Sequence, residues 1–398
     1  MKEWYYLVFL SAAALMMPFV LAYTEEGFDI EELLALRRAY PWILPPLLIP
    51  TFLAVLFTDR GYARAVGKGG ALLLIASAVV MGGSLVWMAS AGDLAPEVTL
   101  CHYRIRCPLV PFVVASGFMR GGAVAVLLSV LSCLCRRSDE KAGDGAALMA
   151  VAVLVSVAAL WLVLFRAELG WRTQAWILFG YAVLLLPAVL CGCAPESPEE
   201  ALLRVQTPRE ESFRKSALPV LLLGLSLSAV LSYWFYMPSY WVGRPFTSPL
   251  NYYKLLSVSS LVFGAVLLLC RRRLAGGGAG RRPAVVGAVL LLLGFPLSSA
   301  LMQEPFVALV PQFLLGTGLA LVVGATLRPV LGLAPRRRSL LLLGLVTAVI
   351  LLSRLLVVAF DRAQEAFQAD FLTDYVFYPL LSLTVLWVGL KYEKEMKN

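Results

Sequence analysis

Residues 195–216, PESPEEALLRVQTPREESFRKS, put nine charged side chains and three prolines into the middle of a 398-residue chain that is 60% hydrophobic and only 15% charged. Ordinary soluble domains carry about 25% charged residues, so a chain this apolar has more oily surface than one soluble core can hide. On either side of 195–216 the apolar residues come in runs of about 20, the length an α-helix needs to cross roughly 30 Å of hydrocarbon. Six runs precede the segment, at 4–22, 41–58, 70–89, 109–135, 146–165 and 173–194. Six follow it, at 217–237, 250–270, 283–303, 306–327, 339–360 and 375–391. Lipid offers the backbone no hydrogen-bond partner, which restricts spanning segments to helices or a closed barrel. Unbroken Leu/Val/Ala runs without period-2 alternation select helices. The expected fold class is an all-α membrane protein of about twelve transmembrane helices. It divides into a six-helix bundle over 1–194, a linker over 195–216 and a second six-helix bundle over 217–398.

The first run passes through MMPFVLAY at 16–23 into an acidic stretch without a small-x-small cleavage site, so it reads as a retained helix rather than a secretory signal. The formal charge of +9 is distributed by side. With an even number of spans both termini share a face, and that face collects 23 of the 34 Lys and Arg, against 9 on the opposite face and two inside spans. The positive-inside rule then puts both termini in the cytoplasm of a multi-pass inner-membrane protein. Read this way the basic balance is topological, with anionic headgroups as its natural partners, and nothing points to nucleic acid.

Of seven cysteines, Cys101 and Cys107 bracket CHYRIRC in an external-side loop, where an oxidising compartment could join them. Cys133, Cys135, Cys191, Cys193 and Cys270 fall at cytoplasmic ends of spans. They read as small apolar fillers, since no His or carboxylate stands near to complete a metal site. No phosphate-binding loop, zinc ligand set, nucleophile elbow or dinucleotide fingerprint occurs. The chain is therefore expected to be neither an enzyme nor an ATP-driven pump, and to need no cofactor.

VLFTDRGYAR at 55–64 lies between the second and third spans. With the six-plus-six layout, it makes the whole chain resemble the major facilitator superfamily. That family's signature, G-x-x-x-D-R/K-x-G-R/K-R/K, is matched at Asp59, Arg60 and Arg64, while Val55, Tyr62 and Ala63 stand where Gly, Gly and a basic residue are usual. The resemblance implies inverted three-helix repeats in each half and a ligand site near the midplane, exposed to each side in turn. It also implies a cytoplasmic gate in which the Asp59 carboxylate and the Arg60 and Arg64 cations lock the closed state. The second-half counterpart, RRRLAGGGAGRR at 271–282, keeps the cations and has no acid. SGFMRGGAVAV at 116–126 and PQFLLGTGLALVVGATLRP at 311–329 supply the small residues that allow close helix approach. The fifth span, ALMAVAVLVSVAALWLVLF at 147–165, lacks the Gly-rich ending typical of drug/proton antiporters.

All 25 Asp and Glu fall in loops or at span ends, and the one His, His102, is in a loop, so a buried proton carrier is not evident. What remains inside is cationic. Arg120 lies near the middle of the fourth span, beside Ser116, Gly117 and Ala123. A guanidinium there either grips an anionic ligand with its planar fork or holds helices together through carbonyls and hydroxyls. Arg354, two turns before Asp361, either points into the cleft together with Arg120 or snorkels to the interface. The aromatic cluster SYWFYMPSYWVGRP at 232–245 is either an interfacial belt or a gate that bends at Pro238. In the gate reading Tyr233, Tyr236, Gln312 and Thr317 line the ligand path by position.

The expected function is a secondary transporter moving a small anionic or amphipathic organic solute by alternating access. The alternative is a membrane sensor that does not transport. Some LuxR-type membrane regulators resemble this layout, with sparse coupling residues and an eroded signature, although this chain has no DNA-binding output domain.

Overall fold

The structure is a computed structural model that describes residues 42–59, 62–100, 103–135, 170–190, 217–226, 261–266, 282–301, 307–331 and 378–395. Single positions between 10 and 24 and at 229, 258, 259 and 269 are also described. Among the described residues the long helices are α1 (Leu44–Asp59), α2 (Ala63–Ala91), α3 (Leu109–Cys135), α4 (Trp171–Leu190), α5 (Arg282–Leu301), α6 (Leu309–Leu331) and α7 (Tyr378–Glu395). They coincide with the second, third, fourth, sixth, ninth, tenth and twelfth apolar runs. The fifth and eleventh runs lie outside the described residues. Arg64–Ala91, Leu109–Val130 and Leu309–Thr326 are each long and apolar enough to cross a membrane.

α2 begins at Ala63, seven residues before the expected start, so Arg64 and Lys68 belong to its first turns rather than to a loop. Cations near a helix end cost little because their apolar stems lie along the helix while the charge reaches the headgroups. The chain enters α2 through a tight turn. The Tyr62 N–H donates to the Phe57 carbonyl at 3.0 Å, and the two rings meet edge to face at 6.3 Å. α2 ends at Gly92, whose φ of +52° suits glycine and whose N–H donates to Met88 O.

Between α2 and α3, where the sequence reading places only a loop, stands an antiparallel hairpin of β1 (Glu97–Leu100) and β2 (Tyr103–Arg106). Val98 pairs with Ile105 and Leu100 with Tyr103. Ile105 is buried, and the Cys107 N–H closes the base of the hairpin on Pro96 O at 2.7 Å.

The chain forms two compact units. The first comprises Met1–Cys133, Val155–Val205 and Pro238–Tyr253; the second comprises Leu134–Leu154, Gln206–Met237 and Lys254–Asn398. In the first unit, absent side chains set the helix spacing. A Cβ on Gly70 of α2 would lie 2.9 Å from the carbonyl oxygen of Gly122 in α3, and one on Gly122 would lie 3.1 Å from that of Gly70. Gly117 and Gly121 take α3 just as closely against α1, at Ile43, Pro46 and Pro50. Gly82 of α2 admits the Phe179 ring of α4. The Tyr181 hydroxyl of α4 donates to Ala13 O at 2.8 Å, which ties α4 to the helical residues of the first run.

The second unit repeats the device. Gly287 of α5 and Gly318 of α6 face each other, each placing a carbonyl oxygen within 2.6 to 2.8 Å of the other's missing Cβ. Gly316 seats α6 on the Ser259 carbonyl, and Gly294 seats α5 on Leu315. The Phe295 and Tyr378 rings stack at 5.0 Å and bind α7 to α5. In both units two helices consecutive in the chain are joined back to back by a glycine pair, the close approach that small residues allow where no water drives packing.

Candidate ligand-binding site

Most small hydroxyls in these helices are already occupied. Thr51, Ser84, Ser226 and Thr326 each donate to the carbonyl four residues earlier, at 2.7 to 2.8 Å. Such back-bonding lets a polar group sit in an apolar helix without external help. The larger polar side chains cannot do this, and they mark the candidate site.

Arg120 is the twelfth residue of α3 and only 8% exposed. At about 100° of helix rotation per residue it stands roughly 160° from Gly122, which meets α2, and roughly 60° and 100° from Gly117 and Gly121, which meet α1, so it points away from α2 and to one side of the α1 contact. Ser116, one turn earlier, shares its face; that hydroxyl donates to Val113 O at 2.8 Å and keeps its lone pairs for accepting. A guanidinium on this face has five donors and no acceptor, which suits carboxylate, phosphate or carbonyl oxygen.

Gln312 is fully buried on α6, and neither its Nε2 nor its Oε1 has a hydrogen-bond partner among the described residues. Leaving a buried amide unmatched costs about 1–3 kcal/mol per group, so this position is held at the expense of stability. It lies one turn before Gly316, on the α6 face that meets the helical residues around Ser259. Thr317, half-buried on the same helix, is five residues on, about 140° round the axis, so the two side chains expected to line one path do not share a face.

Two buried polar residues escaped the sequence reading. Ser382 of α7 has an Oγ without a hydrogen-bond partner among the described residues, and Gln174 of α4 is wholly buried. A serine inside YPLLSLTVLWVGL gives no stronger signal than any other helix serine. Gln174 stands so near the start of its run that it reads as interfacial.

The remaining expected residues divide simply. Asp59 is the last residue of α1, and Arg64 sits half-buried in the first turn of α2, so these two signature residues end one helix and open the next. Arg60, Tyr233, Tyr236, Arg354 and Cys101 lie outside the described residues. Cys107 is a half-buried free thiol, and its expected partner Cys101 lies outside the described residues. Among the described residues, no carboxylate stands inside a helix away from its ends, and no three His, Cys, Asp or Glu side chains gather as a metal site.

No protein-family profile matches the sequence, and a comparison with curated proteins finds no match. Solved structures are informative. The chain is similar to the xylose transporter XylE from E. coli in a partially occluded inward-open conformation, with a TM-score of 0.66 and 12% identity over 97% of this chain and 98% of that one. The fold is that of the major facilitator transporters. It is also similar to the human organic anion transporter MFSD10, with a TM-score of 0.57 and 16% identity over 97% of each chain. A bacterial homologue of the iron transporter ferroportin, in an outward-facing state, matches with a TM-score of 0.58 and 16% identity over 97% of this chain and 99% of that one. Major facilitator structures thus align end to end with this sequence at identities that speak for the fold alone.

Proposed function

We propose that the chain is a secondary transporter of the cytoplasmic membrane that carries a small anionic or amphipathic organic solute by alternating access. In this reading the six-helix bundles are 1–194 and 217–398, joined by the cytoplasmic linker 195–216, and both termini are cytoplasmic. The observation that carries the proposal is Arg120: a permanently charged side chain, 8% exposed, near the middle of an apolar 27-residue helix in a major facilitator fold. A buried cation is costly unless polar groups meet it, and a guanidinium with five donors can hold a protein partner and still offer N–H groups to a solute. A solute anion matches the guanidinium fork. Gln312 supports the same reading from the second unit, because its amide is kept buried despite lacking a partner among the described residues. Tyr233, Tyr236 and Arg354 complete the proposed ligand set. Asp59, Arg60 and Arg64 form the proposed cytoplasmic gate. The similarity to MFSD10, which is named an organic anion transporter, supports this reading.

The test uses full-length protein reconstituted in vesicles and counterflow against a panel of labelled organic anions, cations and neutral solutes, with thermal unfolding measured alongside. Arg120→Lys keeps the charge and loses the fork, so anion affinity should drop by ten-fold or more with little change in unfolding temperature. Gln312→Leu removes an unmatched amide, which should leave stability equal or higher while abolishing the stabilisation that a transported anion confers. Normal counterflow in both variants would make these residues structural and overturn the anionic-solute reading. Anion-induced stabilisation without counterflow would point to a sensor instead.

A further inference from the structure

Ser382 of α7 departs from the pattern of the other small hydroxyls. Thr384, two residues on, donates to the Leu380 carbonyl at 2.9 Å, the same four-residue back-bond that Thr51, Ser84, Ser226 and Thr326 make. Ser382 is 1% exposed, yet its Oγ has no hydrogen-bond partner among the described residues. A buried hydroxyl left unmatched is costly, and an acceptor within reach relieves that cost.

Such an acceptor stands opposite. Pro296 lies inside α5 and has no N–H, so the Leu292 carbonyl four residues earlier loses its helical donor. α5 and α7 run antiparallel: the Phe295 ring stacks on Tyr378, and a Cβ on Gly389 would lie 4.0 Å from Val285 Cα. Between these two contacts Ser382 falls level with Leu291 and Leu292. The faces agree as well. At about 100° per residue, Leu292 and Val285 stand about 60° and 80° round α5 from Phe295, while Ser382 and Gly389 stand about 40° and 20° round α7 from Tyr378. Leu292 therefore lies inside the arc of α5 that meets α7, and Ser382 lies beside the matching line on α7.

We infer that Ser382 and the Leu292 carbonyl are the two halves of a latch, apart in this conformation and joined by a hydrogen bond when α5 bends further at Pro296. In membrane helices the backbone groups that a proline frees are re-satisfied by Ser and Thr side chains and by neighbouring helices. A proline ring presses on the carbonyl four residues back, so bending opens α5 on the Pro296 side. Pro296 stands about 100° round from Phe295, at the edge of the arc that faces α7, and the opening turns the Leu292 carbonyl toward that arc. The packing favours movement of the C-terminal end of α5. Before the proline, Gly287 is held against the Gly318 carbonyl oxygen, which is backbone; beside it, Gly294 meets Leu315 Cδ2 and Cγ, part of a side chain that can change rotamer. The residues after Pro296 are the part that swings, and the latch gives them two positions rather than a continuum. The device belongs to the second unit alone and serves a transporter or a sensor alike.

The experiment places nitroxide-bearing amino acids at Ala300 of α5 and Leu380 of α7, both exposed, in full-length protein in detergent, and reads the distance between them by pulsed electron resonance. Two distances should appear, one for each state of the latch. Ser382→Ala should deplete the bent state about five-fold, the worth of one hydrogen bond. Because it removes an unmatched hydroxyl, this variant should fold at least as well as the unaltered protein. Ser382→Thr keeps the hydroxyl and should keep both distances. Pro296→Ala returns an N–H to the Leu292 carbonyl, so it should give a single distance that Ser382→Ala no longer changes. A single distance in the unaltered protein would overturn the latch. So would a ratio that Ser382→Ala leaves unchanged or moves toward the bent state, or two distances that persist in Pro296→Ala.

Discussion

Gly287→Ala tests whether the glycine pairs fix the helix spacing. The added Cβ would lie 2.6 Å from the Gly318 carbonyl oxygen, 2.9 Å from Val322 Cγ2 and 3.1 Å from Leu321 Cβ. Carbon contacts are most favourable at about 3.5–4.0 Å, so every one of these is too short. The nearest belongs to backbone and another to a Cβ, neither of which can swing aside by changing rotamer. α5 and α6 therefore have to separate by several tenths of an ångström along their shared face, and a radial gap of about 0.5–1 Å forfeits a quarter to a half of each dispersion contact it opens. Overpacking of this kind costs about 1–3 kcal/mol, and the upper part of that range applies because rigid atoms are struck. Against it stands the intrinsic preference of a helix for Ala over Gly, about 1 kcal/mol. The net loss should be about 1–2 kcal/mol, a factor of roughly 5 to 30 in the folded-to-unfolded ratio.

The control is Gly83→Ala on α2, where a Cβ meets nothing within 4 Å and only the helix preference acts, in the stabilising direction. Gly122→Ala, whose nearest contact is 3.1 Å, should fall between the two. Chemical or thermal unfolding of the three full-length variants in one detergent gives the order directly. If Gly287→Ala proves as stable as Gly83→Ala, the Gly287–Gly318 contact does not set the α5–α6 distance.

Tyr181→Phe removes the donor that reaches Ala13 O and nothing else of bulk, so it should lower stability by about 0.6–1.5 kcal/mol in the same unfolding assay, the range for one buried hydrogen bond in water or lipid. Asp59→Asn, at the proposed gate, should slow exchange between inward- and outward-open states while leaving membrane insertion and yield intact. Cysteine accessibility from each side of sealed vesicles reads that exchange, and unchanged exchange would remove Asp59 from the gate.

The helices were legible because a run of about 20 apolar residues has one physical use, and seven of the runs appear as long helices in the described residues. Arg120 was legible for the same reason, being a charge inside such a run. The start of α2 was misjudged because Arg64 and Lys68 look like loop residues to a hydropathy count, though a helix end tolerates them. The β1–β2 hairpin did carry a signal, the alternation of Val98 and Leu100 with Tyr103 and Ile105, but at four residues per strand it is easily lost beside long apolar runs. Burial of Gln312 was not legible beyond its place on a small-residue helix, since an amide is polar enough to be expected near water.

The glycines show most clearly where sequence information stops. Gly69 and Gly70 are neighbours in α2, and no local property separates them. Yet about 100° of helix rotation turns one into the open wall of a groove and the other onto the Gly122 carbonyl. Which role each takes depends on the partner helix, and the partner, Gly122, is 52 residues away in the chain. The same pairing recurs at Gly287 and Gly318, which has a mechanical consequence. Contacts this close leave no slack for sliding, because packed interfaces switch between discrete arrangements rather than deform continuously. The α2–α3 and α5–α6 pairs should therefore move as rigid bodies. Whatever motion the proposed alternating access requires has to be taken up away from these glycine contacts, and substitutions at them should change stability far more than the rate of exchange.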